Sequence, residues 1–259
     1  ERDLLQKQAD INRLKEILVL DRQWVTYPDY NDRAGWDRFL GTFKDEYIRR
    51  GEKRLNYQWQ VVKATDYLAF ERTGNRQIME KPFGANNGAI ADLLMAELAE
   101  GKGRFVDQLI NGVFNACEMT SWALAAHIIV QPSHRALPAY DYPVIDLTSG
   151  DLGGLLAWTY HFMRPSFDKV DPEISRRLRH ELQTRILDPY MNNDSFWWMG
   201  RNYNGRMLNN WNPWCNSNAL MCFMLLEDNR DTLAKAVHLT MESVDKFLNY
   251  IKADGACEE

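Results

Sequence analysis

The sequence predicts an all-α fold of paired helices, arranged as an α/α solenoid or toroid. Three observations lead there. Apolar residues recur at helical spacing along most of the chain, strand-type alternation is nearly absent, and short Gly, Pro or Asn connectors separate the periodic stretches. Their spacing gives successive two-helix hairpins of about forty residues, although no strict repeat is visible.

From the N-terminus, Ile11, Leu14 and Leu18 make the first apolar stripe. A connector at residues 73–75 closes a helical stretch. Asn86-Asn87 are then expected to cap the helix carrying Ile90, Leu93, Leu94 and Leu98. After a connector at 101–103, Val106, Leu109, Ile110, Val113, Phe114 and Cys117 follow the i, i+3, i+4, i+7 pattern closely. Residues 144–147 are the only short β-branched run, either a strand or a loop crossing. Asp171-Pro172-Glu173 reads as an N-cap, a proline at the first helical position and an acid in the first turn. A connector is expected at 188–193. Residues 219–226 are apolar on all sides, which marks a helix buried between neighbours. Asp231 is expected to cap the last helix, whose stripe is Leu233, Val237, Met241, Val244, Leu248 and Ile251. The longest non-helical segments are expected at 131–150 and 192–213, and long loops in a compact domain are usually functional.

Composition narrows the function. At 259 residues the chain fits one large domain or two small ones. A net charge of −5 leaves no basic excess for phosphates, so no nucleic-acid partner is expected. No run approaches eighteen apolar residues and the start lacks a signal-peptide pattern, so no membrane partner is expected either. The beginning at Glu1 and the abrupt DGACEE end suggest a piece of a larger protein. Cys117, Cys215, Cys222 and Cys257 form no CxxC pair and read as reduced core residues. The histidines show no HxxxH spacing, and residues 149–154 (SGDLGG) lack the ending of a phosphate loop. Neither a metal nor a cofactor is expected, and the absence of GxSxG disfavours an α/β-hydrolase.

The unusual quantity is aromatic content: nine Trp, eleven Tyr and eleven Phe, with four of the tryptophans in one stretch where polar amides also gather. Residues 196–222 read FWWMGRNYNGRMLNNWNPWCNSNALMC. Indole faces stack on sugar rings, and amides hydrogen-bond hydroxyls or carboxylates without carrying charge. This segment therefore reads as the wall of a carbohydrate site; the alternative is an Asn-capped loop whose tryptophans plug a helical core. An acidic sugar must have its carboxylate neutralised before the adjacent carbon loses a proton, the logic of an oxyanion hole. Asn209 and Asn210 are the first choices for that role. Trp197, Trp211, Asn212, Trp214, Arg201 and Arg206 are expected to bind substrate. Tyr203 joins them, a tyrosine whose pKa nearby cations can lower for acid–base work. Any single asparagine can instead be a turn former or cap. Glu118 and Trp122, four apart, are expected to share a helix face and set a carboxylate beside a stacking ring; the alternative is a solvated glutamate with a core tryptophan.

The NNWNPWCNSNALM segment, the helix after it and the DGACEE end resemble the N-terminal helical domain of the heparinase II/III-like polysaccharide lyases, especially the heparinase II branch. Residues 117–122 and 144–161 look similar to that branch too, so the resemblance spans about residues 57–259 and leaves 1–56 as an N-terminal extension or first helices. The resemblance implies an incomplete (α/α) toroid, continuous over 1–259, with the family's β-sandwich domains absent from this chain. It implies a periplasmic or secreted lyase that cleaves uronic-acid polysaccharide of the heparin or heparan sulfate kind by β-elimination, with the C-terminal β-sandwich domains of the same polypeptide as partner. An amide or imidazole neutralises the C5 carboxylate, and a tyrosine and a histidine move protons; the neutralising position falls at Asn209–Asn210, the tyrosine just past Glu259. Two other readings stand beside it. One is an inverting glycoside hydrolase using Glu118 with Asp151 or Asp194, carboxylates that would need to lie about 6.5–9.5 Å apart. The other is a non-catalytic glycan-binding module.

Overall fold

The computed structural model describes residues 2–202 and 207–257. It is all-helical, 63% helix, with no strand among the described residues. The α-helices are α1 (Ile11–Ile17), α2 (Arg33–Leu40), α3 (Lys44–Glu52), α4 (Ala64–Thr73), α5 (Gln77–Glu100) and α6 (Val106–Cys117). They continue with α7 (Ala125–Ile128), α8 (Leu147–Val170), α9 (Pro172–Leu182), α10 (Asp188–Asn192), α11 (Trp211–Leu226) and α12 (Arg230–Leu248). None is long and apolar enough to cross a membrane.

Contacts sort the chain into two units, each discontinuous in sequence. The first unit comprises Glu1–Val25, Pro143–Ala157 and Leu182–Glu259, and the second Thr26–Tyr142 and Trp158–Glu181.

In the first unit α12 lies between α1 and α11 and shows each a different face. Val237 and Met241, from the apolar stripe read in the sequence, pack with Ile11, Leu14 and Leu18 of the α1 region. The other face buries Thr240, Ser243 and Phe247. The N-terminal segment is fastened by Asp245, wholly buried, whose carboxylate accepts from the Leu5 and Gln6 amides. Such a buried acid is tolerable because charge-assisted bonds replace its water. Asn229, not Asp231, caps α12: its side chain accepts from the Thr232 amide at 3.0 Å, while Asp231 sits in the first turn, 3.0 Å from Lys15.

In the second unit α5 runs through the middle against α3, α6 and α4. Gly51 lets α3 approach so closely that an added Cβ would sit 2.1 Å from the Ala96 Cβ. Glu97, wholly buried, accepts from the Gly103 and Phe105 amides, tying the α5–α6 turn, and from the Tyr30 hydroxyl at 2.5 Å. Burial first, then the Glu97 carboxylate, pushes that phenol up to about 12.

Several local expectations are corrected. Asn86 and Asn87 do not cap a helix; they lie inside α5. The Asn86 amide donates to the Gln60 carbonyl (2.8 Å) and accepts from Tyr57, pinning a distant segment to the helix. Residues 144–147 form no strand. Asp146 and Ser149 exchange side-chain to backbone bonds, each at 2.8 Å, and so start α8 inside the stretch expected to be loop. Residues 188–192 continue the helical path after a π-turn at Gln183–Leu187, and Asn193 is the extended C-cap. Cys257 is exposed, unlike the three buried thiols.

Candidate functional site

The tryptophan–amide segment sits in the first unit, around the start of α11. Helical spacing divides its side chains between an inner and an outer face.

The inner face is structural. Asn212 and Asn216 are both 0% exposed. Asn212 donates to the Trp198 carbonyl (2.7 Å) and the Ser243 carbonyl and hydroxyl (3.0 and 3.1 Å). Asn216 donates to the Asn212 carbonyl and the Ser243 hydroxyl, each at 2.8 Å, and accepts from the Tyr190 hydroxyl at 2.6 Å. Trp198 is buried too, its indole N–H on the Ile145 carbonyl, stacked on Phe196. Burial raises the Tyr190 phenol well above its ordinary value, so it stays neutral inside this network. Asn212 therefore does not reach a ligand: every contact of its amide nitrogen goes into the core.

The outer face is different. Asn210, Trp214 and Asn218 recur at i, i+4 and i+8, with Trp211 beside them, and all are half-buried or exposed. Trp214 is 43% exposed. Its indole N–H donates to Asp151 Oδ1 at 2.7 Å, and the Asn218 amide donates to the same oxygen at 2.8 Å. Asp151 lies on α8, whose Gly150 and Gly154 give Asn218 room: an added Cβ at Gly154 would stand 3.0 Å from the Asn218 oxygen. The SGDLGG string is thus a small-residue helix face, not a loop. Trp197 lies 5.3 Å from Trp211, ring to ring, tilted by 41°.

The two candidate neutralising amides differ. Asn209 accepts from the Trp211 amide (3.1 Å), the turn-former role weighed from sequence. Asn210, half-buried at the N-cap of α11, makes no side-chain cap bond, and its amide has no hydrogen-bond partner among the described residues. It stands at the positive end of a sixteen-residue helix, where negative charge is favoured.

Arg201 pairs with Asp194, whose carbonyl also accepts from Asn202 (3.1 Å), and it lines a polar cavity of about 280 Å³ with Glu242 and Lys246. Asp194, offered for hydrolysis, is thereby engaged. Tyr203 and Arg206 lie outside the described residues. Glu118 and Trp122 belong to the second unit and do not share a helix face: α6 ends at Cys117, Glu118 is its exposed C-cap, and Trp122 follows in non-helical chain. Trp122 is 2% exposed with its indole N–H on the Ala116 carbonyl (2.8 Å), so it is a core residue. The stripe that suggested an inward Glu118 stops one residue before it.

Sequence reasoning missed Asn218 and named Asp151 only for hydrolysis. The signal for Asn218 was present in the Asn210–Trp214–Asn218 spacing; nothing in the sequence places Asp151 beside them. Among the described residues, no group of three or more His, Cys, Asp or Glu is disposed to hold a metal ion. No family model matches the chain, and no curated protein matches it.

Proposed function

We propose that this chain is the helical domain of a polysaccharide lyase, an incomplete (α/α) toroid of helical hairpins, that cleaves uronic-acid-containing polysaccharide by β-elimination. The observation that carries the reading is the uncommitted Asn210 amide at the start of α11, flanked by Trp211 and the exposed Trp214 while the neighbouring amides are engaged. In this reading the sugar stacks on indole and its C5 carboxylate accepts from the Asn210 NH2. That bond strengthens as charge moves from C5 into the carboxylate, so it lowers the barrier to proton loss. The C5–H bond then breaks, its electrons form the C4=C5 double bond, and the C4–O4 bond breaks with a proton delivered to O4. The tyrosine and histidine that move those protons are proposed to come from the polypeptide following Glu259 and from β-sandwich domains, as the resemblance implies, in a periplasmic or secreted enzyme.

The test uses the polypeptide extended beyond Glu259, mixed with uronate polymers and followed by the ultraviolet absorbance of the unsaturated product. Growth of that absorbance supports a lyase. Reducing-sugar release without it supports a hydrolase, and binding without turnover a glycan-binding module.

A further inference from the structure

We propose, resting on the reading above, that the sugar seated on Trp214 is an uncharged, unsulfated unit, selected by Asp151, so that the substrate alternates uronate with neutral sugar. Asp151 is an exposed carboxylate with two neutral donors, Trp214 Nε1 and Asn218 Nδ2, both on Oδ1. Three consequences follow from that geometry.

The indole is fixed. Its N–H, the one polar atom it can offer a hydroxyl, is already engaged, so Trp214 serves as a stacking face held at a set angle. Its oxygen partner retains capacity: an ionised carboxylate offers about four acceptor sites, and Oδ2 has no partner among the described residues. A sugar hydroxyl donating to Oδ2 while the ring lies on Trp214 uses both features.

The charge is also uncompensated. Neither donor is a cation, and Asp151 takes part in no ion pair among the described residues. A sulfate or carboxylate there is repelled by the negative oxygen, whereas a hydroxyl donates to it and an N-acetyl group carries no charge. Asn210, which receives the uronate, lies one helical turn before Trp214, about 6 Å along the axis. That offset suits consecutive sugars, the charged one at the amide and the neutral one at the indole and Asp151.

The experiment titrates this chain with a tetrasaccharide of alternating glucuronate and N-acetylglucosamine, and with the same compound sulfated on its hexosamine, reading tryptophan fluorescence. The unsulfated compound is expected to bind more tightly, by roughly fivefold, the factor that water-screened repulsion of two unit charges about 4 Å apart sets. The gap should shrink as salt rises. Asp151→Asn, which keeps an acceptor for both donors, should close the gap by improving sulfated binding. Preference for the sulfated compound, an unchanged gap in Asp151→Asn, or no binding of either would overturn the proposal. If Asp151→Asn fails to fold, the wild-type preference and its salt dependence decide. The lyase reading fails separately: binding preference without unsaturated product from the extended polypeptide sinks it and leaves Asp151 as a specificity residue of a binding module.

Discussion

Replacing Asn216 by alanine should destabilise the protein far more than replacing Asn218, although the two are near neighbours on one helix. Asn216 is 0% exposed and makes three hydrogen bonds: donors to the Asn212 carbonyl and Ser243 Oγ at 2.8 Å, and an acceptor for Tyr190 at 2.6 Å. Each is worth about 1 kcal/mol net, with more where a partner is left stranded. Two partners retain support, since Tyr190 still meets Thr240 Oγ1 at 2.7 Å and Ser243 still receives Asn212. The expected loss is therefore about 2–4 kcal/mol, or a fall of roughly 5–15 °C in Tm for a chain of this size. Asn218→Ala gives up one partly exposed bond to Asp151 and should cost under about 1 kcal/mol. Urea titration followed by circular dichroism compares the two. A loss under about 1 kcal/mol for Asn216→Ala, or equal losses, would refute the division of α11 into a structural and an open face.

Three further outcomes test the fold. Native protein should present Cys257 alone among its cysteines to a thiol reagent, and Cys117, Cys215 and Cys222 should react only on unfolding; burial raises the Cys222 thiol to about 12 and the Cys215 thiol well above normal. Rapid labelling of a second thiol would contradict the packing around α11 and α6. Tyr30 favours its neutral form in the folded protein, with a pKa of about 12 against 10.0, so its contribution is complete below pH 10 and disappears as pH rises from there towards 12. Tyr30→Phe should remove that alkaline step from the stability profile, and an unchanged step would place its origin elsewhere. Gly51→Ala forces a methyl to 2.1 Å from the Ala96 Cβ and should cost about 1–3 kcal/mol or more in denaturant titration; a neutral result would mean α3 is free to shift on α5.

Local physics made much of this molecule legible in advance. The stripe of α6, the Asp171-Pro172 start of α9 and the apolar length of α11 depend on spacing and caps, which the chain displays directly. What it hides is which distant group a polar residue meets. Asn86-Asn87 look like caps, yet Tyr57 and Gln60 fold over α5 and take Asn86 as their anchor. On α12 the apolar stripe towards α1 is visible, but the face towards α11 buries Thr240 and Ser243 because Tyr190, Asn212 and Asn216 satisfy them. The tryptophan–amide segment announced a special surface without saying which amides close the core. Periodicity separates Asn212 and Asn216 from Asn210, Trp214 and Asn218; only in the folded chain is the first pair sealed and the second set completed by Asp151 of α8.

In the proposed lyase the Asn210 amide meets the developing charge, and the most direct measurement of that role is the rate at which the polypeptide extended past Glu259 forms unsaturated product, for wild type, Asn210→Ala and Asn209→Ala. Asn210→Ala should lower kcat by about 100-fold or more with KM little changed, because the bond matters most when charge reaches the carboxylate. Asn209→Ala, which loses only a turn contact to Trp211, should stay within a few-fold of wild type. Near-wild-type turnover by Asn210→Ala would contradict the neutralising role of its amide.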